Sequence, residues 1–295
     1  MVLLWRLLAH RFFSILSFVA DSPHEKNSAL LLAQNLDFTV KSKKILSGII
    51  LEAHPGKLLA ICGPNGSGKS TLLKILSGEL KPTSGLVSLD DVVVHQIKPW
   101  QLAERRAVVP QATHLAFPFN VSEVVELGIS IPRFALARSS EQQLVYDALR
   151  RVDMLELAER SYQTLSGGER QRVHLARAIC QLAASKYKSG SRILFLDEPT
   201  ASLDLAHQIM VLEEARRLAN SGLIGIVVLH DLNLAAMYAD TIYLLSAGTM
   251  AACGSADLVM NDSMLSKVFG CRIKTSHPPI DGSPYILPQL CTIDI

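Results

Sequence analysis

The sequence has no excess of either charge: Lys plus Arg total 29 and Asp plus Glu total 27, a formal balance of +2. That argues against a protein that coats nucleic acid. It has no CxxC pair, and none of its five cysteines (Cys62, Cys180, Cys253, Cys271, Cys291) stands beside a histidine at zinc-like spacing. Reduced, mostly buried thiols of a cytosolic chain are the expectation. Internal repeats are absent. What is present is apolar for a free soluble protein but far from a polytopic membrane protein, with 49% hydrophobic residues and a mean hydropathy of +0.26. Disorder is excluded for most of the chain, and an apolar docking surface is expected. The 295 residues suffice for one large or two small domains with a real core.

Residues 1–28 differ from the rest. Val2 to Ala20 is mostly apolar but carries Arg6, His10 and Arg11, which makes insertion into a bilayer costly. Arg6, His10, Ser14 and Ser17 draw a narrow polar stripe at helical spacing. A membrane-surface helix, a signal peptide and a non-structural leader all fit this pattern. A leader or loosely docked helix is preferred, and residues 21–28 read as linker.

From residue 29 to about 270 the pattern is regular. Leu30–Val40 and Ile45–Leu51 read as strands around the basic turn Lys41–Lys44, and Lys57–Cys62 as a short buried strand. Residues 112–184 are mostly helical and read as an inserted lobe. Alternation then resumes with Ile193–Asp197, Ala206–Asn220, Ile224–His230, Asp231–Ala239 and Thr241–Ser246. Apolar strands alternating with helices imply an α/β fold with a mostly parallel core sheet covered on both faces. Residues 271–295 are Pro-rich and read as an irregular tail. Lys186–Ser191 reads as a surface loop.

Three motifs carry chemistry. Gly63-Pro64-Asn65-Gly66-Ser67-Gly68-Lys69-Ser70-Thr71 matches GxxxxGK[ST] between a strand and a helix. Glycines let successive N–H groups turn inward around a polyphosphate, and the helix N-terminus adds positive potential. Lys69 supplies an ammonium to the outer phosphates and Ser70 a hydroxyl to Mg²⁺. Second, the run Ile193-Leu194-Phe195-Leu196 delivers Asp197 and Glu198 to the edge of the sheet where ligands bind in α/β folds. Asp197 suits Mg²⁺ and Glu198 suits orienting or deprotonating the attacking water. Third, Leu165-Ser166-Gly167-Gly168-Glu169-Arg170-Gln171 opens a helix with Ser166 and Glu169 at capping-box spacing. Ser166, Gly167 and Gly168 form a second anion site. A second site in a chain that already has one makes sense if it serves ATP held by another copy, which predicts a head-to-tail dimer with two ATPs at its interface.

On these motifs, and above all on Leu165–Gln171, the chain resembles the ATP-binding subunits of ABC transporters over about residues 30–270. The resemblance implies the P-loop ABC ATPase fold, with an N-terminal antiparallel β subdomain and an inserted helical subdomain. It implies that Gln111 is the glutamine that contacts Mg²⁺ and water and couples to the membrane subunit. Ser202-Leu203-Asp204 matches the loop that crosses to the partner copy, and His230 the switch histidine on the γ-phosphate. The family usually stacks adenine on an aromatic residue before the second strand. Val40 takes that position here, and Phe38 shares its strand face, so Phe38 is the candidate for a contact worth ~1 kcal/mol.

A finer resemblance is to importers of iron chelates and cobalamin, and within them to hemin importers, through residues 105–111, 114–121 and 203–208. It implies two transmembrane permease subunits, an indirect periplasmic hemin-binding partner, no nucleic acid, and a peripheral place on the cytoplasmic face of the bacterial inner membrane. Leu115, Phe117 and Phe119 suit docking of a permease helix. Import of ferric siderophore or cobalamin is the near alternative. A non-transport ABC protein usually carries two cassettes or a long coiled-coil insertion, and this chain has neither. A small-molecule P-loop kinase has no use for Leu165–Gln171. The scattered histidines, His10, His24, His95, His114 and His277, read as ordinary surface or core residues.

Overall fold

The computed structural model describes residues 30–111, 117–129, 137–185, 187, 190–278 and 284–291. The leader at 1–28, the segment 112–116 with His114 and Leu115, and part of the tail lie outside them.

Two sheets form the frame. The first is antiparallel, in the order β2-β1-β4-β5. Strands β1 (Leu31–Val40) and β2 (Lys43–Ala53) make a hairpin in which Val40 pairs with Lys43. Lys41 and Ser42 between them both have positive φ, 43° and 70°, the two-residue turn that matches strand twist. Leu31, Ala33 and Leu36 alternate inward against Leu46, Ile49 and Leu51. Strands β4 (Ser84–Leu89) and β5 (Val92–Val93) complete this sheet.

The second sheet runs β10-β9-β3-β8-β7-β6. Its central strands β3 (Leu58–Cys62), β7 (Ile193–Asp197) and β8 (Ile224–Val228) are buried at every position. They pair in parallel with one another, and β6 (Arg106–Val109) and β9 (Thr241–Ser246) join them in parallel on either side. Strand β10 (Thr249–Gly254) closes the edge as a hairpin with β9.

Period-two alternation sends each central strand into two cores. Leu59, Ile61 and Phe195 face the antiparallel sheet and helix α1 (Lys69–Leu76). Leu58, Ala60, Leu194 and Leu196 face a helical layer. Short helix α2 (Pro99–Arg105) leads into β6. The helical layer holds α3 (Val121–Glu126), α4 (Arg138–Arg151) and α5 (Gly167–Ala184), which join through Val124, Val145, Leu149 and Val173. Helix α6 (Leu205–Asn220) precedes β8, and α7 (Leu232–Tyr238) follows it. Short helices α8 (Ala256–Val259) and α9 (Asp262–Phe269) end the regular part.

The described part of the tail is tied down rather than free. Thr275 donates both its N–H and its hydroxyl to Asp262 Oδ1 at 2.8 Å, and Lys274 pairs with the same carboxylate at 3.1 Å. These bonds hold the Asp262 carboxyl well below the usual carboxylate range.

The loop before β7 also departs from expectation. Ser191 is buried, not solvent-facing: its N–H and hydroxyl donate to Asp90 at 2.9 and 2.8 Å. Asp90 also pairs with the buried Arg105, whose guanidinium lies 4.8 Å above the Tyr187 ring. The clasp joins the antiparallel sheet to the starts of β6 and β7. Replacing Asp90 with Ala leaves a buried guanidinium without its carboxylate, a loss of about 3 kcal/mol. Urea unfolding of Asp90→Ala measures this, and a change below about 1 kcal/mol contradicts a buried clasp.

Candidate active site

The strand register sets the site. Ile61 lies beside Val228, Val228 beside Asp197, and Leu196 beside Val109. Gly63, His230, Asp197, Glu198 and Gln111 therefore leave the sheet from one edge, within two residues of those paired positions.

The Gly63–Lys69 turn is possible only with glycine at two of its points. Gly63 has φ of 143°, and a Cβ there would fall 2.1 Å from the Leu245 carbonyl oxygen. Gly68 has φ of 101°, with the Leu46 side chain 2.7 Å from where a Cβ would sit. Gly68 is also the N-cap of α1 and gives it no side-chain cap, so the first N–H groups of that helix are left to a ligand. Asn65 and Gly66 are exposed at the tip, Pro64 and Thr71 half-buried. Ser67 Oγ is buried without a hydrogen-bond partner, a polar atom on the floor of the cradle that an oxyanion would satisfy.

Lys69 folds back over this turn. Its ammonium donates to the carbonyls of Gly63 and Pro64, both at 3.0 Å, and the residue is only 5% exposed. Burial pulls its pKa below the ordinary lysine value, partly offset by Glu198, Cys62 and Asp197. Next to it, Ser70 Oγ donates to Asp197 Oδ1 at 3.0 Å. Burial raises the Asp197 carboxyl above its ordinary value, opposed by the Ser70 bond and reinforced by Glu198. A buried carboxylate so disfavoured welcomes a cation. Ser70 and Asp197 offer hard oxygen donors, and no group of three His, Cys, Asp or Glu able to hold a metal exists among the described residues. That donor set fits Mg²⁺, which keeps waters and takes its remaining ligands from phosphate.

Glu198 sits in the left-handed region, φ 51°. Its two oxygens are both engaged: Gln111 Nε2 donates to Oε2 at 2.6 Å, and His230 Nε2 lies 2.7 Å from Oε1. The three residues that the family resemblance assigns to the reacting end of ATP thus meet at one carboxylate.

Ser166 caps α5 as its spacing predicts. Its Oγ accepts from the Glu169 N–H at 3.2 Å, and Glu169 Oε2 accepts from the Ser166 N–H at 2.7 Å. Gly167 and Gly168 lie against Ser202 and Leu203, within 3.0 Å of Leu203 and the Ser202 carbonyl for a Cβ at 168. Ser166, Gly167 and Gly168 stand on the helical layer, apart from the Gly63–Lys69 turn between β3 and α1. Asp204 caps α6, accepting from the His207 N–H at 3.0 Å and meeting His207 Nδ1 at 2.7 Å. Those bonds depress its pKa.

Phe38 is half-buried against the core of the first sheet, and Val40 is exposed. Register shifts flank Phe38 on both sides, so simple alternation does not fix which face these two residues share. Gln208 is a residue the sequence does not reveal: a glutamine in the first turn of a helix reads as solvated, yet its amide donates to the Thr200 and Leu203 carbonyls.

The Lys69 environment makes a measurable demand. With its pKa lowered, Lys69 is charged below that value and loses its proton as pH rises, before an ordinary lysine does. Nucleotide affinity therefore falls from the same pH upward. A ¹³Cε titration of the nucleotide-free chain, assigned with Lys69→Met, should place Lys69 below the ordinary lysine range. A titration at or above that range contradicts the burial.

Comparison with known proteins bears on the whole assembly of motifs. Residues 46–201 match the family model described as ABC transporter. The chain is 46% identical to the hemin import ATP-binding protein HmuV of Ruegeria sp. (strain TM1040), over 88% of its own length and 98% of the relative's. It is 41% identical to the protein of that name from Rhizobium meliloti (strain 1021), over 90% and 100%. The dimeric structure of a bacterial ABC transporter cassette matches with a TM-score of 0.68 at 26% identity, over 77% of this chain and 98% of that one. A post-hydrolysis state of an ATP-binding cassette, holding ADP and Pi, matches with the same score, identity and coverage. By that match over more than half of its length, and by relatives this similar along nearly their whole length, the chain belongs to the ABC transporter family, as an ATP-binding subunit.

Proposed function

We propose that this chain is the ATP-hydrolysing motor of a hemin importer, working as a head-to-tail dimer beneath two permease subunits. The observation that carries the reading is the convergence of Gln111 and His230 on Glu198, beside the glycine-lined turn that holds Lys69 and Ser70. In the proposed complex Lys69 turns from the Gly63 and Pro64 carbonyls to the β- and γ-phosphates, and Phe38 touches adenine. Gly63 to Thr71 supplies the surrounding donors. Ser70, Asp197 and Gln111 would hold Mg²⁺, which would neutralise charge building on the phosphates.

The water oxygen bonds to the γ-phosphorus as the bond to the bridging oxygen of ADP breaks. Glu198 orients that water and takes its proton, and His230 touches the γ-phosphate. Ser166, Gly167 and Gly168 of the second copy close over the same γ-phosphate, and Asp204 lies on the loop that crosses to it. ATP favours the closed dimer because its γ-phosphate makes these contacts only there. Driving such an equilibrium from 1:99 to 99:1 takes ~5.5 kcal/mol of differential affinity. A few charge-assisted hydrogen bonds at ~1.5–3 kcal/mol each suffice. Release of phosphate removes them, and the dimer reopens with the permease following.

Hemin as cargo is supported by the HmuV relatives, which match along almost their entire length. No helix among the described residues is long and apolar enough to cross a membrane, which suits a peripheral subunit on the cytoplasmic face of the inner membrane. Exposed Phe117, 6.1 Å from the ring of Phe119, offers apolar surface for the permease. The cargo reaches the permease from a periplasmic hemin-binding protein, and nucleic acid has no part in the cycle.

Glu198→Gln should abolish turnover by at least about 100-fold and accumulate an ATP-bound dimer on size-exclusion chromatography. Full turnover by this variant removes Glu198 from the role. In vesicles carrying the neighbouring permease and its binding protein, hemin should stimulate ATP hydrolysis while cobalamin and ferric siderophores do not. Stimulation by either of those instead overturns hemin as cargo.

A further inference from the structure

The segment between Glu198 and helix α6 has to satisfy two masters. At its start stands Glu198, strained into the left-handed region. At its end stand Ser202 and Leu203, which lie so close to the two glycines that a Cβ at Gly168 would fall 3.0 Å from the Leu203 side chain and the Ser202 carbonyl, and one at Gly167 3.6 Å from the Ser202 Cβ. Only two backbone bonds close the loop on itself: Ala201 N–H to the Glu198 carbonyl and Leu203 N–H to the Thr200 carbonyl, both at 3.3 Å. Both bonds are local to the loop and neither ties it to helix α6, and the loop tip is exposed at Ala201 and Ser202. Something else must hold it.

Gln208 does. Its Nε2 carries two N–H donors, and it lies 3.0 Å from the Leu203 carbonyl and 3.3 Å from the Thr200 carbonyl. One amide therefore spans the loop from either side of Ala201 and Ser202. Helix α6 anchors that amide rigidly: Asp204 and His207 fasten its first turn, the Gln208 N–H bonds to the Asp204 carbonyl at 2.9 Å, and neighbouring Ile209 is buried. Thr200, which supplies one of the bracketed carbonyls, is itself buried.

We propose that Gln208 is a positioning residue for hydrolysis, bracketing residues 200–203 so that Glu198 of one ATP site and Gly167 and Gly168, lent to the other, keep a fixed spacing within the chain. Gln208 touches neither ATP nor water. It acts by keeping the Ser202 and Leu203 contacts with the glycines in step with the turn that presents Glu198. A shift at either end reaches the other through this short loop only while the bracket holds. The inference rests on the sandwich dimer proposed above.

The test replaces Gln208 with Met, which keeps length and bulk but donates nothing, and separately with Glu, which keeps shape and sets a carboxylate against two carbonyls. Both variants are measured as full chains for thermal midpoint, for ATP KM and kcat, and for the Hill coefficient in ATP. The expected result is a kcat lowered about tenfold with KM within about twofold of the parent, a Hill coefficient reduced toward 1, and a thermal midpoint within about 5 °C of the parent. Two lost neutral hydrogen bonds account for a change of that size. Glu should be worse than Met, because it adds repulsion to the loss. An unaltered kcat and Hill coefficient in both variants overturns the proposal, and so does a kcat loss that merely follows a fall in thermal midpoint. The dimer reading is checked separately: if Glu198→Gln forms no ATP-bound dimer, that reading fails. If it does form one while Gln208→Met hydrolyses ATP at the parent rate, the bracket alone is wrong.

Discussion

Backbone hydrogen bonds hold β6, β7, β8 and β3 in a register where Val109 meets Leu196, Asp197 meets Val228, and Val228 meets Ile61. Everything chemical depends on that alignment. A slip of one residue between two such strands would turn their side chains to opposite faces and carry Asp197 away from Ser70. The register is held from both sides. Alternate residues of the same strands are locked into two separate cores, so a slip would empty one core into the other. The Asp90–Arg105–Ser191 clasp fixes β6 and β7 at their far ends, where no ligand helps.

At the near end the charged groups find partners within the chain, while Ser67 Oγ does not. Lys69 bonds two carbonyls of its own loop, Ser70 bonds Asp197, and Glu198 takes up Gln111 and His230. Leaving these groups unpaired while partly buried would cost about 1–3 kcal/mol each. In the proposed cycle, each of these contacts that nucleotide displaces subtracts from its affinity.

The parts of this site that could be read from the sequence are those where a backbone requirement forces a residue type. Gly63 and Gly68 are dictated by positive φ and close backbone approach, and the runs before Asp197 and after Leu223 by strands buried on both faces. The Ser166–Glu169 box follows from helix-end chemistry. Less legible was anything set by distant partners. Strands β4 and β5 bury only Val87 and Leu89 among their eight residues, so their apolar signal is faint. Strand β8 stops at Val228, two residues short of the expected end, because His230 turns toward Glu198. The relation of Phe38 to Val40 is undone by irregular pairing with β2. Ser191 and Gln208 look solvent-bound in the sequence, and only the fold brings Asp90 to one and two loop carbonyls to the other.

The left-handed backbone at Glu198 has a consequence for how this chain tolerates change. Glycine, and to a lesser degree asparagine, rest more easily at such a φ than a longer side chain, which gives up ~1–2 kcal/mol there. The position therefore works against local preference, and random substitution selected for thermal robustness alone would drift toward glycine or asparagine. Screens of this chain for heat tolerance would be expected to return inactive winners at that codon unless turnover is selected in parallel.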